Sequence, residues 1–209
     1  MSGRIALVII LAVGCAVATV PAQPADALQM FRDGQYNQAV QTTLREIQEM
    51  PRNMDAYTVL GWSLLELRRF EEALDHGTRA LAISPFDPRI IHIVGTAQFN
   101  LGRDLEALRL LEQYAQILPN GSQIGPIYQM MGEVFIRMGE FHHADIALTT
   151  AVHHRPTNAV WWSRLGFARE QAEDFTHALA AYDRALQLSP GLQAAAQGRA
   201  RVQGRLASS

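Results

Sequence analysis

The chain has 209 residues, of which 48% are hydrophobic and 18% are charged. This balance excludes a disordered chain and a polytopic membrane protein, and it predicts one or two domains with a sizeable core. All 18 basic residues are arginine, which excludes lysine Schiff bases and Walker-type phosphate loops. A formal net charge of −2 gives no electrostatic basis for nucleic-acid binding, and a single cysteine permits no internal disulfide.

The N-terminus has the layout of an export signal. Arg4 precedes an uncharged run whose strongly apolar part covers residues 5–20. A short positive region followed by an apolar stretch is typical of a signal peptide, and it predicts an exported protein, periplasmic or membrane-tethered in a bacterial envelope.

Three fates of this segment stay open. Cleavage before Gln23 would remove residues 1–22, because Val20 and Ala22 supply short side chains at the −3 and −1 positions. Alternatively, residues 11–15 resemble a bacterial lipobox, which would remove residues 1–14 and place a lipid on Cys15. The third possibility is an uncleaved anchor, although the run is slightly shorter than the roughly 20 residues that span a bilayer.

The rest of the chain is repetitive. Prolines recur at Pro51, Pro85, Pro119, Pro156 and Pro190, with spacings of 34, 34, 37 and 34 residues. Alanines from Ala39 to Ala178 and glycines from Gly61 to Gly166 follow the same spacing. Such a fixed period indicates a repeat architecture, and one three-residue insertion near residues 120–124 accounts for the longer interval.

Each unit has the pattern of two packed helices. In residues 57–64, apolar or small residues recur at i, i+3, i+4 and i+7, which predicts one buried stripe on a first helix. Gly61 lies within that stripe, and we expect it to allow close approach of the second helix. Residues 71–82 form the predicted second helix, and Pro85 cannot continue it.

These units resemble the tetratricopeptide repeat, most clearly in residues 159–190, where Trp162, Gly166, Tyr182 and Pro190 match the family pattern. The resemblance implies an all-α fold, a right-handed α-solenoid of helical hairpins closed by a capping helix. It divides the chain into a partial unit (26–53), full units (54–87, 88–121, 122–158 and 159–192), and a capping helix with its tail (193–209).

The first helices of such a solenoid line its concave side, so a groove is expected on their face that points away from the core. Trp62, Phe99 and Phe167 lie on this predicted face, and aromatic residues commonly anchor interfaces. Packing of the three rings between neighbouring repeats is the alternative. The predicted groove residues are Thr58, Trp62, Leu65, Arg89, His92, Thr96, Phe99, Gln129, Glu133, Ile136, Ser163, Phe167 and Glu170.

The sequence predicts neither an enzyme nor a cofactor or metal site. His142 and His153 are separated by about 16 Å on one helix, too far for one ion. No phosphate loop, serine elbow or His-Glu-x-x-His motif occurs. The predicted function is therefore a non-enzymatic scaffold that binds a partner peptide or helix. The alternatives are a groove that takes the C-terminal helix of a second copy, and a metal-binding or enzymatic role.

Overall fold

The structure, a computed structural model, describes residues 26–208, and within them it contains eleven α-helices and no strand. The predicted all-α solenoid is confirmed. The helices are α1 (Ala27–Arg32), α2 (Tyr36–Glu49), α3 (Met54–Glu66), α4 (Phe70–Ile83), α5 (Pro88–Asn100), α6 (Asp104–Ile117), α7 (Ile124–Met138), α8 (Phe141–His154), α9 (Ala159–Gln171), α10 (Phe175–Leu188) and α11 (Gln193–Ala207).

Odd-numbered helices are the first helices of the hairpins, and most of them begin at a side-chain cap. Asn53, Asp87 and Asn158 each accept a hydrogen bond from a backbone N–H in the first turn of α3, α5 and α9. These caps satisfy donors that a helix start otherwise leaves unpaired. The first helices therefore begin at defined residues, which fixes which side chains reach the concave side.

The three-residue insertion is divided between a loop and a helix. The link between α6 and α7 has six residues, whereas the link between α4 and α5 has four. Helix α7 has 15 residues and α5 has 13, and the turn after α7 is one residue shorter than the turn after α5. The longer link carries Ser122 and Gln123 to the concave side, where both line a hollow.

Glycines within the first helices allow close packing, though not always against the second helix. A Cβ atom on Gly166 would lie 2.8 Å from Tyr182 of α10, as expected for packing within a hairpin. A Cβ atom on Gly61 would instead lie 2.7 Å from Ile93, which belongs to α5. The expected partner of Gly61 is therefore corrected: the next first helix approaches it, because consecutive hairpins stack directly on each other.

Helix α11 closes the stack. Val202 is fully buried, and Gly198 packs so closely on the ring of Tyr182 that a Cβ atom there would overlap it. Arg201 of α11 forms two hydrogen bonds with the Glu170 carboxylate of α9, at 2.7 and 2.8 Å. Capture of α11 by the groove of a second copy would thus require it to leave its site on its own chain.

Candidate functional site

Three adjacent hollows meet at Trp62 on the concave side of the first hairpins. Helices α1, α2, α3 and α5 surround the first hollow, of about 310 Å³. The second, of about 390 Å³, lies between α3, α5, α6 and the link before α7, and the third, of about 330 Å³, lies between α1, α3, α5 and the same link. Trp62 lines all three, and we call this composite surface the Trp62 cleft.

The first hollow is acidic. Asp26, Glu46 and Asp55 line it together with one cation, Arg89. Burial, followed by the carboxylates of Asp26 and Glu49, raises the pKa of the Glu46 carboxyl above its usual value. The carboxylates therefore repel each other, and a positive charge placed among them would relieve that repulsion.

Arg89 is held by carboxylates on two sides. Its Nη1 donates to Asp55 at 2.7 Å and its Nη2 donates to Asp87 at 2.7 Å. The hydrogen bonds from Arg89 to Asp87 hold the pKa of the Asp87 carboxyl below its usual value. Because its charge is balanced in this way, Arg89 does not make the cleft basic.

The second and third hollows are mainly apolar and aromatic. The Phe31 ring lies 5.7 Å from the Trp62 ring, and the His92 ring lies 5.9 Å from the Tyr114 ring, both measured between centroids. Burial lowers the pKa of His92 below its usual value, so its imidazole is neutral at pH 7. Leu65 and Leu118 extend the apolar lining.

Trp62 is half-buried, and its indole N–H donates no hydrogen bond to any residue between 26 and 208. Trp162 provides the comparison, because its Nε1 donates to the carbonyl of Pro156 at 2.9 Å. A half-buried indole with an unused donor combines a large apolar face with a polar edge, which is typical of residues that anchor interfaces.

The other two predicted groove aromatics are already in contact with arginines. The guanidinium of Arg137 lies 4.5 Å from the centroid of Phe99, and that of Arg164 lies 5.0 Å from the centroid of Phe167. Each arginine also pairs with a carboxylate, Asp104 and Glu133 respectively. One face of each ring is therefore occupied within the chain.

Two of the predicted polar groove residues are bound by arginines of the next first helix. Glu133 of α7 accepts two hydrogen bonds from Arg164 of α9, at 2.7 and 2.6 Å, and Glu170 of α9 is bound by Arg201 of α11 in the same way. Gln129 donates to Glu133 at 3.3 Å. These two-pronged arginine pairs fix the relative position of consecutive first helices.

Two of the predicted groove residues are not accessible. Thr58 is 2% exposed and its hydroxyl donates to the Met54 carbonyl, while Ser163 is 5% exposed. Helical periodicity assigns both to the groove face, and Thr58 does border the first hollow. Both side chains are nevertheless packed among helices, so the prediction of an accessible contact is corrected. Thr96 and Ile136 are half-buried, and the Thr96 hydroxyl has no partner among the described residues.

Several contributors to the cleft were not predicted from the sequence, among them Leu28, Phe31, Tyr114 and the carboxylates of Asp26 and Glu46. Leu28 and Phe31 lie 34 residues before Trp62 and Leu65, so extension of the same spacing into the partial first unit identifies both. Tyr114 occupies a position where the family has alanine, and its ring lines the second hollow. Its side chain reaches the site from α6, a second helix, so the groove-face rule for first helices could not include it.

Other site types receive no support from the described residues. Between residues 26 and 208, no group of three histidine, cysteine, aspartate or glutamate side chains could hold a metal ion. No helix in that range is long and apolar enough to cross a membrane. Cys15 and the predicted signal segment lie outside the described residues.

Comparisons with known proteins agree with the helical-repeat architecture. Family profiles described as tetratricopeptide repeat match residues 25–88 and 159–192. A TPR repeat-containing protein of Methanocaldococcus jannaschii, MJ1428, is 21% identical over 112 residues, which are 54% of this chain and 19% of that protein. The matched segment thus spans about a fifth of that relative's length.

Solved structures have the same fold. MamA from Desulfovibrio magneticus superposes with a TM-score of 0.71 at 16% identity, covering 79% of this chain and 92% of that one. YrrB, described as a TPR protein with an unusual peptide-binding site, superposes with a TM-score of 0.71 at 17% identity, covering 83% and 88%.

The fold defines a class, the α-solenoids built from helical hairpins. Within that class, the repeat spacing, the two family matches and the superpositions identify one family. The chain belongs to the tetratricopeptide-repeat family.

Proposed function

We propose that this protein is a non-enzymatic adaptor that holds a segment of a partner protein in the Trp62 cleft. One observation carries the proposal: three hollows meet at a half-buried tryptophan whose indole N–H is unused among the described residues. YrrB, a TPR protein with an unusual peptide-binding site and the same fold, supports the same class of ligand. Phe99 and Phe167 are secondary contacts in this proposal, because arginines already cover one face of each ring.

A bacterial cell envelope is the proposed location. Arg4 and the apolar residues 5–20 support export, and Cys15 is the candidate for lipidation. Mass spectrometry of the mature N-terminus tests this part separately. We expect either a lipid-modified Cys15 or a new N-terminus at Gln23, whereas an unprocessed Met1 in a cytosolic fraction would contradict export.

Selection from a random peptide library tests the adaptor function. Immobilised wild-type protein should enrich peptides that bind, and Trp62→Ala should lose them because the floor shared by the three hollows is removed. Circular dichroism should remain helical in the variant. The matched control is Phe86→Ala, which removes an aromatic ring that is 72% exposed in the turn before α5, outside the cleft. Equal enrichment by Trp62→Ala and wild type would contradict the proposal.

A further inference from the structure

The first hollow of the Trp62 cleft carries an unbalanced charge. Three carboxylates and one guanidinium line it, a formal net charge of −2. The guanidinium of Arg89 lies within 2.7 Å of oxygens on both Asp55 and Asp87, so its charge is already neutralised. Asp26 and Glu46 form no ion pair with an arginine or histidine of the described chain. Asp26 accepts hydrogen bonds from the backbone N–H groups of Leu28 and Gln29, which leaves its charge in place, and Arg45 offsets the charge around Glu46 only in part, because the pKa of Glu46 is still raised. Their charge therefore remains to attract a cation from outside.

The ring of Trp62, which lines the same hollow, also favours binding of a cation. Elsewhere in the chain, Phe99, Phe167 and Trp161 each have an arginine within 5.4 Å of the ring centroid. Among the described residues, no arginine takes this position over Trp62. A tryptophan face attracts cations more strongly than a phenylalanine face does, and the attraction increases when water is excluded.

The second and third hollows, which adjoin the first at Trp62, favour an apolar side chain beside that cation. Phe31 and Leu65 line one of them, and Tyr114 and Leu118 line the other. His92, which both hollows share, is half-buried, and burial lowers its pKa so that it is uncharged at pH 7. A bound segment therefore meets an acidic pocket on one side of Trp62 and an apolar surface on the other.

We propose that the partner segment of this cleft is a basic, apolar peptide, whose arginine or lysine lies over Trp62 among Asp26, Glu46 and Asp55 while an adjacent apolar side chain fills the hollows beside His92. This inference rests on the proposed adaptor function and specifies its ligand. The recognition depends on charge complementarity together with apolar contact, so neither property alone suffices.

Direct binding measurements with synthetic peptides test the proposal. The probes are fluorescein-labelled heptapeptides of alternating leucine and arginine, of leucine and glutamate, and of serine and arginine, added to the full chain and followed by fluorescence anisotropy. We expect the leucine–arginine peptide to bind at least tenfold more tightly than the other two. Binding should weaken when NaCl is raised from 0.05 to 0.5 M, because salt screens partly exposed charges.

Variants assign this binding to the cleft. Glu46→Arg should weaken the leucine–arginine peptide at least tenfold and strengthen the leucine–glutamate peptide. The matched control, Glu106→Arg, reverses an exposed acidic residue at the start of α6, which lines no part of the cleft, and should leave both affinities unchanged. Trp62→Ala should abolish binding of every peptide.

The outcomes separate this inference from the adaptor function. Tighter binding of the leucine–glutamate peptide, lost in Trp62→Ala, would overturn the basic ligand and keep the cleft. Binding that is insensitive to Trp62→Ala would overturn both. Absence of binding by all three peptides would overturn the basic ligand, while the library selection decides the adaptor function independently. Trp62-dependent self-association in sedimentation would make a second copy the occupant and also overturn the inference.

Discussion

Gly166 and Gly95 occupy equivalent positions in two repeats, yet their surroundings differ. A Cβ atom on Gly166 would lie within 3.0 Å of three ring atoms of Tyr182, which is 1% exposed and whose hydroxyl donates to Glu170 at 2.7 Å. Its burial and its hydrogen bond hold this ring in place. Gly95 is less crowded, because the nearest atoms, on Leu110 and Leu111, would be 3.4 Å away.

We therefore predict opposite effects of the same substitution. Gly166→Ala should destabilise the protein by about 1–3 kcal/mol through overpacking. Gly95→Ala should be neutral or stabilising by up to about 1 kcal/mol, because alanine favours the helix over glycine. Urea unfolding followed by circular dichroism measures both. Equal destabilisation by the two variants would contradict the packing that the structure describes.

His92 makes stability depend on pH. Burial lowers its pKa below the ordinary value of 6.5, so near and below that value the unfolded chain binds more protons than the folded chain. Stability should consequently fall as the pH decreases below 6.5. The contribution of one such group cannot exceed about 1.4 kcal/mol per pH unit.

The comparison is between urea unfolding at pH 7.5 and at pH 5.5. Wild-type protein should lose stability at the lower pH, and His92→Gln should lose less because it cannot be protonated. His142→Gln, at an exposed histidine of α8, serves as the control and should behave like wild type. If His92→Gln loses as much stability as wild type, His92 is not responsible.

At the scale of single elements, two ion pairs attach the capping helix α11, and we expect Arg201–Glu170 to contribute more stability than Arg199–Asp183. Arg201 binds Glu170, whose side chain is only 10% exposed, whereas Arg199 binds Asp183, whose side chain is 41% exposed. Burial raises the pKa of Glu170, but hydrogen bonds from Arg201 and Tyr182 outweigh that effect and lower it below 4.5. Loss of Arg201 would leave a largely buried carboxylate with Tyr182 as its remaining partner.

Arg201→Ala should therefore destabilise the protein by about 1–3 kcal/mol at pH 7, the range for a buried acceptor that loses a charged donor. Arg199→Ala should cost at most about 1 kcal/mol, as for exposed ion pairs. The effect of Arg201→Ala should shrink as the pH falls below 4.5, because protonation of Glu170 removes the charge that Arg201 stabilises. Equal effects of the two variants at pH 7 would contradict this difference between the pairs.

Much of the helical framework follows from the sequence, because the proline, alanine and glycine spacings mark the same points in each hairpin. The contents of the groove were only partly predictable. Periodicity gives the direction of a Cα–Cβ bond, so it placed Trp62 and His92 on the groove face. It cannot give the path of a long side chain, and so it missed the arginines that lie over Phe99 and Phe167.

Helical periodicity also does not show whether a neighbouring helix buries a side chain. Thr58 has the right angle on α3 for the groove and borders the first hollow, but packing leaves it only 2% exposed. Tyr114 reaches the second hollow from α6, a second helix, and it lies there beside the inserted link before α7, whose course the spacing alone does not specify.

At the scale of the whole molecule, charge and aromatic residues are unevenly distributed along the concave side. Toward the C-terminus, Glu133 and Glu170 are bound by Arg164 and Arg201, which hold consecutive first helices together. Near the N-terminus, Arg89 binds Asp55 in the same way, but Asp26 and Glu46 of the first hollow have no arginine ion pair among the described residues, and the hollows converge on Trp62. We therefore expect the first hairpins to bind the partner and the later repeats to stabilise the scaffold.

Site-specific photo-crosslinking in living cells tests this central claim most directly. A photoreactive amino acid replaces Glu66, an exposed residue beside the third hollow, or Ile146, which is 67% exposed on α8 and lies outside the cleft. Position 66 should give a discrete adduct with a partner protein that disappears in the Trp62→Ala background, and position 146 should give none. An adduct from position 146 alone, or an adduct from position 66 that persists without Trp62, would contradict the account.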